Sequence, residues 1–340
     1  MKITVLLSGG VDSSTSALIL KEKGFKITGI YLNCYKFCNP QDAEDARKIA
    51  NILNIPFYVF DLTEDFEDKV INYMIRTYKQ GLTPNPDVYC NQFIKFGIFF
   101  DKALKLGFDS VASGHYARNI DNSLLKAKDE NKDQTYFLWS VEKEKFKKII
   151  FPIGDLFKPE VRQIAKANNL PVAEKKESMG ICFIGTVKLK EFLNRYLQPK
   201  EGKIIDTEGK ILGTHPGYFY FTEGQRHGLN IKTGGGPYYV AQKIPEENLI
   251  IVAKENHPLL YTKKIEVTEI NILEPEIFKK EEIIEARFRH RQPLVKAKVN
   301  LNEKTVEFLE AQKMVAPGQS IVFYHKDYVL GGGVILKKIE

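Results

Sequence analysis

Apolar and polar positions in the first half of the chain follow two alternating patterns. Short, nearly continuous apolar runs occupy residues 2–7, 26–32, 56–61 and 109–112. Between and after them lie longer stretches of helical pattern, residues 14–23, 41–53, 64–80, 91–106 and 160–168. The short runs predict strands and the longer ones amphipathic helices. Strands alternating with helices of this length predict βαβ units around a parallel sheet. From about residue 200 the pattern changes. Gly202, Gly209, Gly213, Gly217, Gly224, Gly228 and Gly234 to Gly236 punctuate a segment rich in β-branched residues. That spacing predicts short strands joined by turns. The last segment, from Lys263, has similar runs at 294–301 and 320–324 and is expected to close as a small barrel. The expected architecture is α/β: a parallel-sheet domain over 1–198, a small central β-rich domain over 199–260 and a C-terminal β-barrel domain over 261–340.

Composition narrows the function classes. A chain of 340 residues with 43% hydrophobic positions is long enough for two or three cores. Apolar runs such as 98–100 and 249–253 fall far short of a membrane span. The first residues enter a strand at once and show no targeting pattern. Four cysteines, Cys34, Cys38, Cys90 and Cys182, do not make a secreted disulfide framework, so a cytoplasmic location is expected. The net charge of +7 is uneven: residues 143–210 hold 15 Lys/Arg against 9 Asp/Glu, which is +6 in that window alone. Two readings stand, a solvated helical face or a surface facing a polyanion.

Candidate chemistry begins between the first strand and first helix, at Ser8-Gly9-Gly10-Val11-Asp12-Ser13-Ser14. Glycines let the backbone approach phosphates, and a helix N-terminus offers unpaired N–H groups and a positive dipole end. Ser13 and Ser14 add hydroxyl donors, and Asp12 is a candidate magnesium ligand. Neither the Walker spacing nor the dinucleotide fingerprint is present. Two thiols stand out further on. In Thr83-Pro84-Asn85-Pro86-Asp87-Val88-Tyr89-Cys90 the prolines hold the chain extended, Asp87 suits an N-cap, and Cys90 follows in the first helical turn. That position favours a reactive thiol, set against simple burial. Cys182 lies between Gly180 and Gly185, with Lys175 and Lys176 nearby to favour thiolate. Cys34 and Cys38 have a zinc-like spacing but no second pair, so they are expected to be unligated.

The complete Ser-Gly-Gly-x-Asp-Ser pattern resembles the PP-loop of the N-type ATP pyrophosphatases, which implies adenylation. Adding TPNPDVYCNQFIKF, SGHYA, KDQTYFLW, GICFIG, GQRHGL and PGQSIVFY followed by LGGG, in this order from residue 3 to about 336, the chain resembles the tRNA-specific 2-thiouridylases. The resemblance implies that O2 of the wobble uridine is replaced by sulfur after ATP activates the C2 carbonyl. It implies an ATP site at Leu6, Leu7, Ser8, Gly9, Gly10, Val11, Asp12 and Ser13, with Leu32 and Gly114 lining the adenosine pocket. Cys182 would carry the persulfide, Cys90 would be its partner nucleophile, and Asp87 an acid–base or positioning group. Asn85, Pro86 and Asp87 would meet the target base. His115, Lys132, Asp133, Gln134, Arg287, Phe288 and Gln319 would contact tRNA. In that set the Arg287 to Arg291 run interleaves cations with an aromatic ring, a composition suited to stacking and phosphate contact. A competing scheme makes Asp87, Cys90 and Cys182 ligands of a 4Fe-4S cluster. Expected cofactors are ATP and magnesium, and expected partners are the lysine, glutamate and glutamine tRNAs. The sulfur donor would be a relay protein or a cysteine desulfurase. The chain departs from the family pattern at Glu177, His227, Tyr238-Tyr239 and Phe288, none of them at the sulfur chemistry.

Overall fold

The computed structural model describes residues 1–36, 40–176, 189–231 and 235–339. Seven strands lie in its first part: β1 (Lys2–Leu6), β2 (Lys26–Asn33), β3 (Phe57–Asp61), β4 (Ser110–Ala112), β5 (Arg118–Ile120), β6 (Ser123–Leu125) and β7 (Ile149–Ile150). Five of them form a sheet of order β3-β2-β1-β4-β7 in which every neighbouring pair is parallel. Alternation along β1 sends Ile3, Val5 and Leu7 to one apolar cluster, with helices α1 (Val11–Glu22) and α2 (Pro40–Ile52). Leu6 joins the other cluster, with Tyr89, Cys90 and Phe96. A sheet covered on both faces explains the continuous apolar runs of its strands. The strand order reverses between β1 and β4, and a crevice at the carboxyl ends of the strands is the expected ligand position there.

Helix limits differ from the sequence reading in instructive ways. α1 begins at Val11 rather than residue 14, because Gly10 adopts an extended conformation and the hydroxyls of Ser13 and Ser14 bond back to its carbonyl, at 3.1 and 2.8 Å. The predicted helix over 64–80 is three consecutive pieces, Thr63–Phe66, Glu67–Ile71 and Asn72–Lys79. The one over 91–106 starts earlier, at Pro86–Tyr89, continues as a wide π-type winding over Cys90–Phe99 and ends in Phe100–Lys105. Gly97 leaves helical dihedrals (φ −102°, ψ −105°), and a Cβ there would lie 2.6 Å from the Gln92 carbonyl oxygen. Pro86 at the first helical positions explains the earlier start, since its missing N–H has no partner to lose.

The central module is a four-stranded sheet of β8 (Gly202–Ile205), β9 (Ile211–His215), β10 (Tyr238–Ile244) and β11 (Leu249–Lys254), ordered β10-β11-β8-β9 around Ile204, Leu212, Val240, Ile250 and Val252. The last module contains β12 (Tyr261–Ile272), β13 (Ile284–Arg287), β14 (Val295–Asn300), β15 (Thr305–Lys313), β16 (Ser320–His325) and β17 (Tyr328–Ile339). Their order is β12-β15-β14-β13-β16-β17, and pairing of β12 with β17 closes a six-stranded barrel. The expected parallel-sheet domain, central β-rich domain and barrel are all present. The β5–β6 hairpin was not expected. It comes from the first part of the chain yet joins the barrel sheet, through Leu125 opposite Tyr328 and an Arg118–Asp327 ion pair at 2.8 Å. Among the described residues, no helix is long and apolar enough to cross a membrane.

Candidate active site

The phosphate-type loop is closed by bonds between near neighbours. The Ser8 N–H donates to Ser13 Oγ at 3.1 Å, and the two hydroxyls lie 3.2 Å apart. Gly9 sits at φ +72°, and a Cβ on it would lie 2.2 Å from the Asp42 carbonyl oxygen of α2, so only glycine fits. On the other side of α1's start, a Cβ on Gly114 would lie 2.7 Å from the Ser13 backbone nitrogen. Gly114 follows β4 and the half-buried Leu32 is near the end of β2. Ser8 to Ser13, Leu32 and Gly114 therefore all follow or end strands at the carboxyl edge of the sheet.

Two lysines complete the loop. Lys158, only 8% exposed, places its ammonium 2.7 and 2.8 Å from the two Asp12 carboxylate oxygens, and the Tyr116 hydroxyl donates to Asp12 Oδ1 at 3.0 Å. Lys175 donates to the Gly9 carbonyl at 2.9 Å, to Asp42 at 2.8 Å and to Asp45 at 2.7 Å. Burial opposes the charge on Lys175, but the bonds to Asp42 and Asp45 outweigh it and raise its pKa. The sequence reading offered Lys175 as a partner for a thiolate; its ammonium is instead engaged by this loop and α2. It missed Lys158 and Tyr116 as partners of Asp12. SGHYA contains Tyr116, but nothing in sequence signals that a lysine 146 positions from Asp12 meets it.

The segment around the first thiol is built differently. Asn85 is buried, Asp87 half-buried, and Cys90 is 3% exposed in the apolar cluster that also holds Leu6 and Ile30. Tyr89 stacks flat on Tyr73, with centroids 3.4 Å apart and planes at 10°. Burial raises both phenols, Tyr73 to about 12, so Tyr89 stays protonated and donates to Glu269 at 2.6 Å. Cys182, with residues 177–188, and Cys38 lie outside the described residues, and Cys34 is half-buried just after β2. Among the described residues no three metal-ligating side chains converge. Asp12, the candidate magnesium ligand, already binds an ammonium through both oxygens.

The residues read as tRNA contacts fall into one buried junction more than onto an open face. Asp133 is 2% exposed; it accepts from Ala127 N and Thr135 Oγ and pairs with Arg287 at 3.4 Å. Burial pushes its carboxyl above the ordinary range despite these partners. Phe288 is 3% exposed and packs on Phe308 inside the barrel, so the ring that sequence offered for stacking faces the core. Gln134 accepts from the Tyr116 N–H at 2.9 Å, and Lys132 is half-buried. His115 contacts Ser113 Oγ at 2.8 Å, and burial with the Lys95 charge holds its imidazole neutral, well below its usual pKa. Gln319 donates to the carbonyls of Thr83 and Pro84. Arg289 and Arg291 are exposed. A cleft of about 350 Å³ lies where Thr83, Gln225, Arg289 and Gln319 meet, at the junction of the three modules. Within 143–210, Lys143, Lys145, Lys147, Lys158, Lys166 and Lys175 all pair with carboxylates, so much of that window's charge is neutralised internally.

Three consecutive domain families match the chain: the tRNA methyl transferase HUP domain over residues 1–186, the tRNA methyl transferase PRC-barrel domain over 190–254 and the aminomethyltransferase beta-barrel domain over 262–335. The tRNA-specific 2-thiouridylase MnmA of Bacillus subtilis (strain 168) is 43% identical over 351 residues, covering 98% of this chain and 94% of that protein. MnmA 1 of Geobacillus kaustophilus (strain HTA426) is 42% identical over 356 residues, covering 100% and 96%. The MnmA of Neisseria meningitidis serogroup A / serotype 4A (strain DSM 15465 / Z2491) is 42% identical over 348 residues, covering 98% and 95%. Identity at this level extends over nearly the full length of both partners, and on it the chain belongs to the tRNA-specific 2-thiouridylase family.

Proposed function

We infer that the chain uses ATP to thiolate tRNA, making 2-thiouridine, AMP and pyrophosphate. The observation that carries this reading is the near full-length similarity to tRNA-specific 2-thiouridylases, joined to a phosphate-type loop at Ser8 to Ser13 and the thiol of Cys90 on one domain. Leu6, the last residue of β1 before the phosphate loop, and Cys90 belong to one buried cluster at the sheet. In the proposed sequence the uridine O2 attacks the α-phosphorus of ATP and pyrophosphate leaves. The terminal sulfur of a Cys182 persulfide attacks C2, and the original oxygen departs with AMP. The Cys90 thiolate then attacks the Cys182 sulfur. The S–S bond to the transferred sulfur breaks, that sulfur stays on C2, and a Cys90–Cys182 disulfide forms that needs two electrons before the next turnover. Asn85, Pro86 and Asp87 are proposed to hold the base, with Asp87 also an acid–base group.

Magnesium is proposed to arrive on the ATP phosphates, since Asp12 reaches a metal only by giving up Lys158. Asp87 and Cys90 are three residues apart at the start of a helix, a spacing compatible with two ligands of the alternative 4Fe-4S cluster. The lysine, glutamate and glutamine tRNAs as substrates, a relay protein or cysteine desulfurase as donor, and a cytoplasmic location complete the proposal.

The test is a mercury-gel mobility assay on unmodified lysine tRNA with ATP, magnesium and a persulfide source, using aerobic and anaerobic iron-loaded protein. An ATP-dependent retarded band from both preparations is expected, and Cys182→Ser should abolish it while ATP and tRNA still bind. A band from iron-loaded protein alone would replace the persulfide route by the cluster. Full activity of Cys182→Ser would sink both sulfur schemes.

A further inference from the structure

Residues 83–90 carry Asn85, Asp87 and Cys90, and their own domain does not hold them alone. Pro84 and Pro86 have no N–H, so the turn ahead of the helix that begins at Pro86 cannot be fixed by regular backbone pairing. The barrel supplies the missing bonds. The Thr83 N–H donates to the Pro317 carbonyl at 2.9 Å. Gln319 Nε2 donates to the Thr83 and Pro84 carbonyls, each at 3.0 Å, which uses both of its hydrogens. Between these residues Gly318 sits at φ +90°, and a Cβ on it would lie 2.7 Å from the Thr83 nitrogen and oxygen. At the other end of the segment, Glu269 accepts from the Tyr89 hydroxyl. Glu269 is a non-glycine residue at φ +52°, at an irregularity in the β12–β17 pairing between Thr268 and Asn271. A strained residue whose carboxylate meets the residue next to Cys90 points to a positional role.

We propose that Gln319 and Glu269 are positioning residues for sulfur transfer, through which the barrel sets the conformation of residues 83–90 and so the placement of Cys90. This rests on the function proposed above. Neither side chain needs to touch the reacting atoms. Each acts through the segment, and misplacement by about 1 Å is enough to cost on the order of 100-fold in rate.

Gln319→Leu keeps the side-chain bulk and removes both donors. The expected result is a fall in kcat of about 10- to 100-fold at saturating tRNA and ATP, with tRNA Kd changed less than about threefold. Iodoacetamide labelling of Cys90, followed by peptide mass mapping, should become at least about tenfold faster, because the loosened segment uncovers a buried thiol. An unchanged kcat with a weakened tRNA Kd would overturn the proposal and make Gln319 a plain RNA contact. Labelling at the wild-type rate would overturn it as well. A second measurement covers a variant that fails to fold: Tyr89→Phe, Glu269→Asn, which tolerates the same backbone conformation but is one carbon shorter, and their double variant. If the pair acts as one unit, the double variant loses no more kcat than the worse single; losses that multiply would sink the Glu269 half of the clamp. Should wild-type protein not thiolate tRNA at all, the proposed function falls, and the labelling rates still decide whether the clamp exists.

Discussion

The phosphate loop and the thiol segment lie on one domain, but the first is held from within that domain and the second from the barrel. Bonds among Ser8, Gly10, Ser13 and Ser14 span three to five residues, and the loop's long-range partners, Tyr116 and Lys158 on Asp12 and Lys175 on Gly9, come from the same parallel-sheet domain. The thiol segment depends on Gln319 and Glu269, 180 to 236 residues away. A loop that binds the same phosphates each cycle gains from a shape fixed within its own domain. A loop that must meet a base presented on a large RNA gains from being set by the modules around it. The difference means that damage to the barrel should reach sulfur transfer before it reaches ATP.

The strongest way to break this contrast is to damage the barrel core. Phe308→Ala removes a fully buried ring packed on Phe288, and is expected to cost about 3–5 kcal/mol of stability. Thiolation should fall while ATP affinity, followed by calorimetry, stays within about twofold; a parallel loss of ATP binding would erase the distinction. Next comes the loop itself. Asp12→Ala strips Lys158 of its partner, and tRNA-dependent pyrophosphate release should drop on the order of 100- to 1000-fold with tRNA still bound. Unchanged release would refute the loop assignment.

The smallest effect sharpens the central module's share. Lys243 is 8% exposed, donates to the Phe221 carbonyl at 2.9 Å, and burial pushes its pKa down to about 8. A lysine that holds its proton less tightly when folded costs stability at neutral pH, and the cost fades as pH climbs from about 8 toward the ordinary lysine range. Lys243→Met should therefore raise stability by about 1–2 kcal/mol at pH 7 and by less at pH 10, read as melting temperatures. A pH-independent difference would mean that folding does not lower the pKa of this lysine.

The fold class was legible because both faces of a parallel sheet demand continuous apolar strands, and residues 2–7, 26–32 and 109–112 supply them. The β5–β6 hairpin was not, since Arg118 to Leu125 has no strong pattern and is strand through pairing within the hairpin, with β17 beside Leu125. The Arg287-Phe288-Arg289 run shows the same limit at a candidate site. Composition reads it as an RNA-stacking motif, while alternation on the barrel turns the ring inward, pairs Arg287 with buried Asp133 and leaves Arg289 outside.

Local features are written in the chain: the glycine-bearing loop before α1, the proline-stiffened segment ahead of Cys90, and the change from helical to strand periodicity near residue 200. These depend on backbone dihedrals and on spacings of a few residues, which any short stretch of chain carries with it. Which charges are paired, and which surfaces remain open, follows from how distant segments pack. Lys158 on Asp12, Lys175 on Gly9, Gln319 on Thr83 and Arg287 on Asp133 each join residues more than 100 positions apart. Such pairs form because packing brings them out of water together, and an unpaired buried charge costs far more than a solvated one.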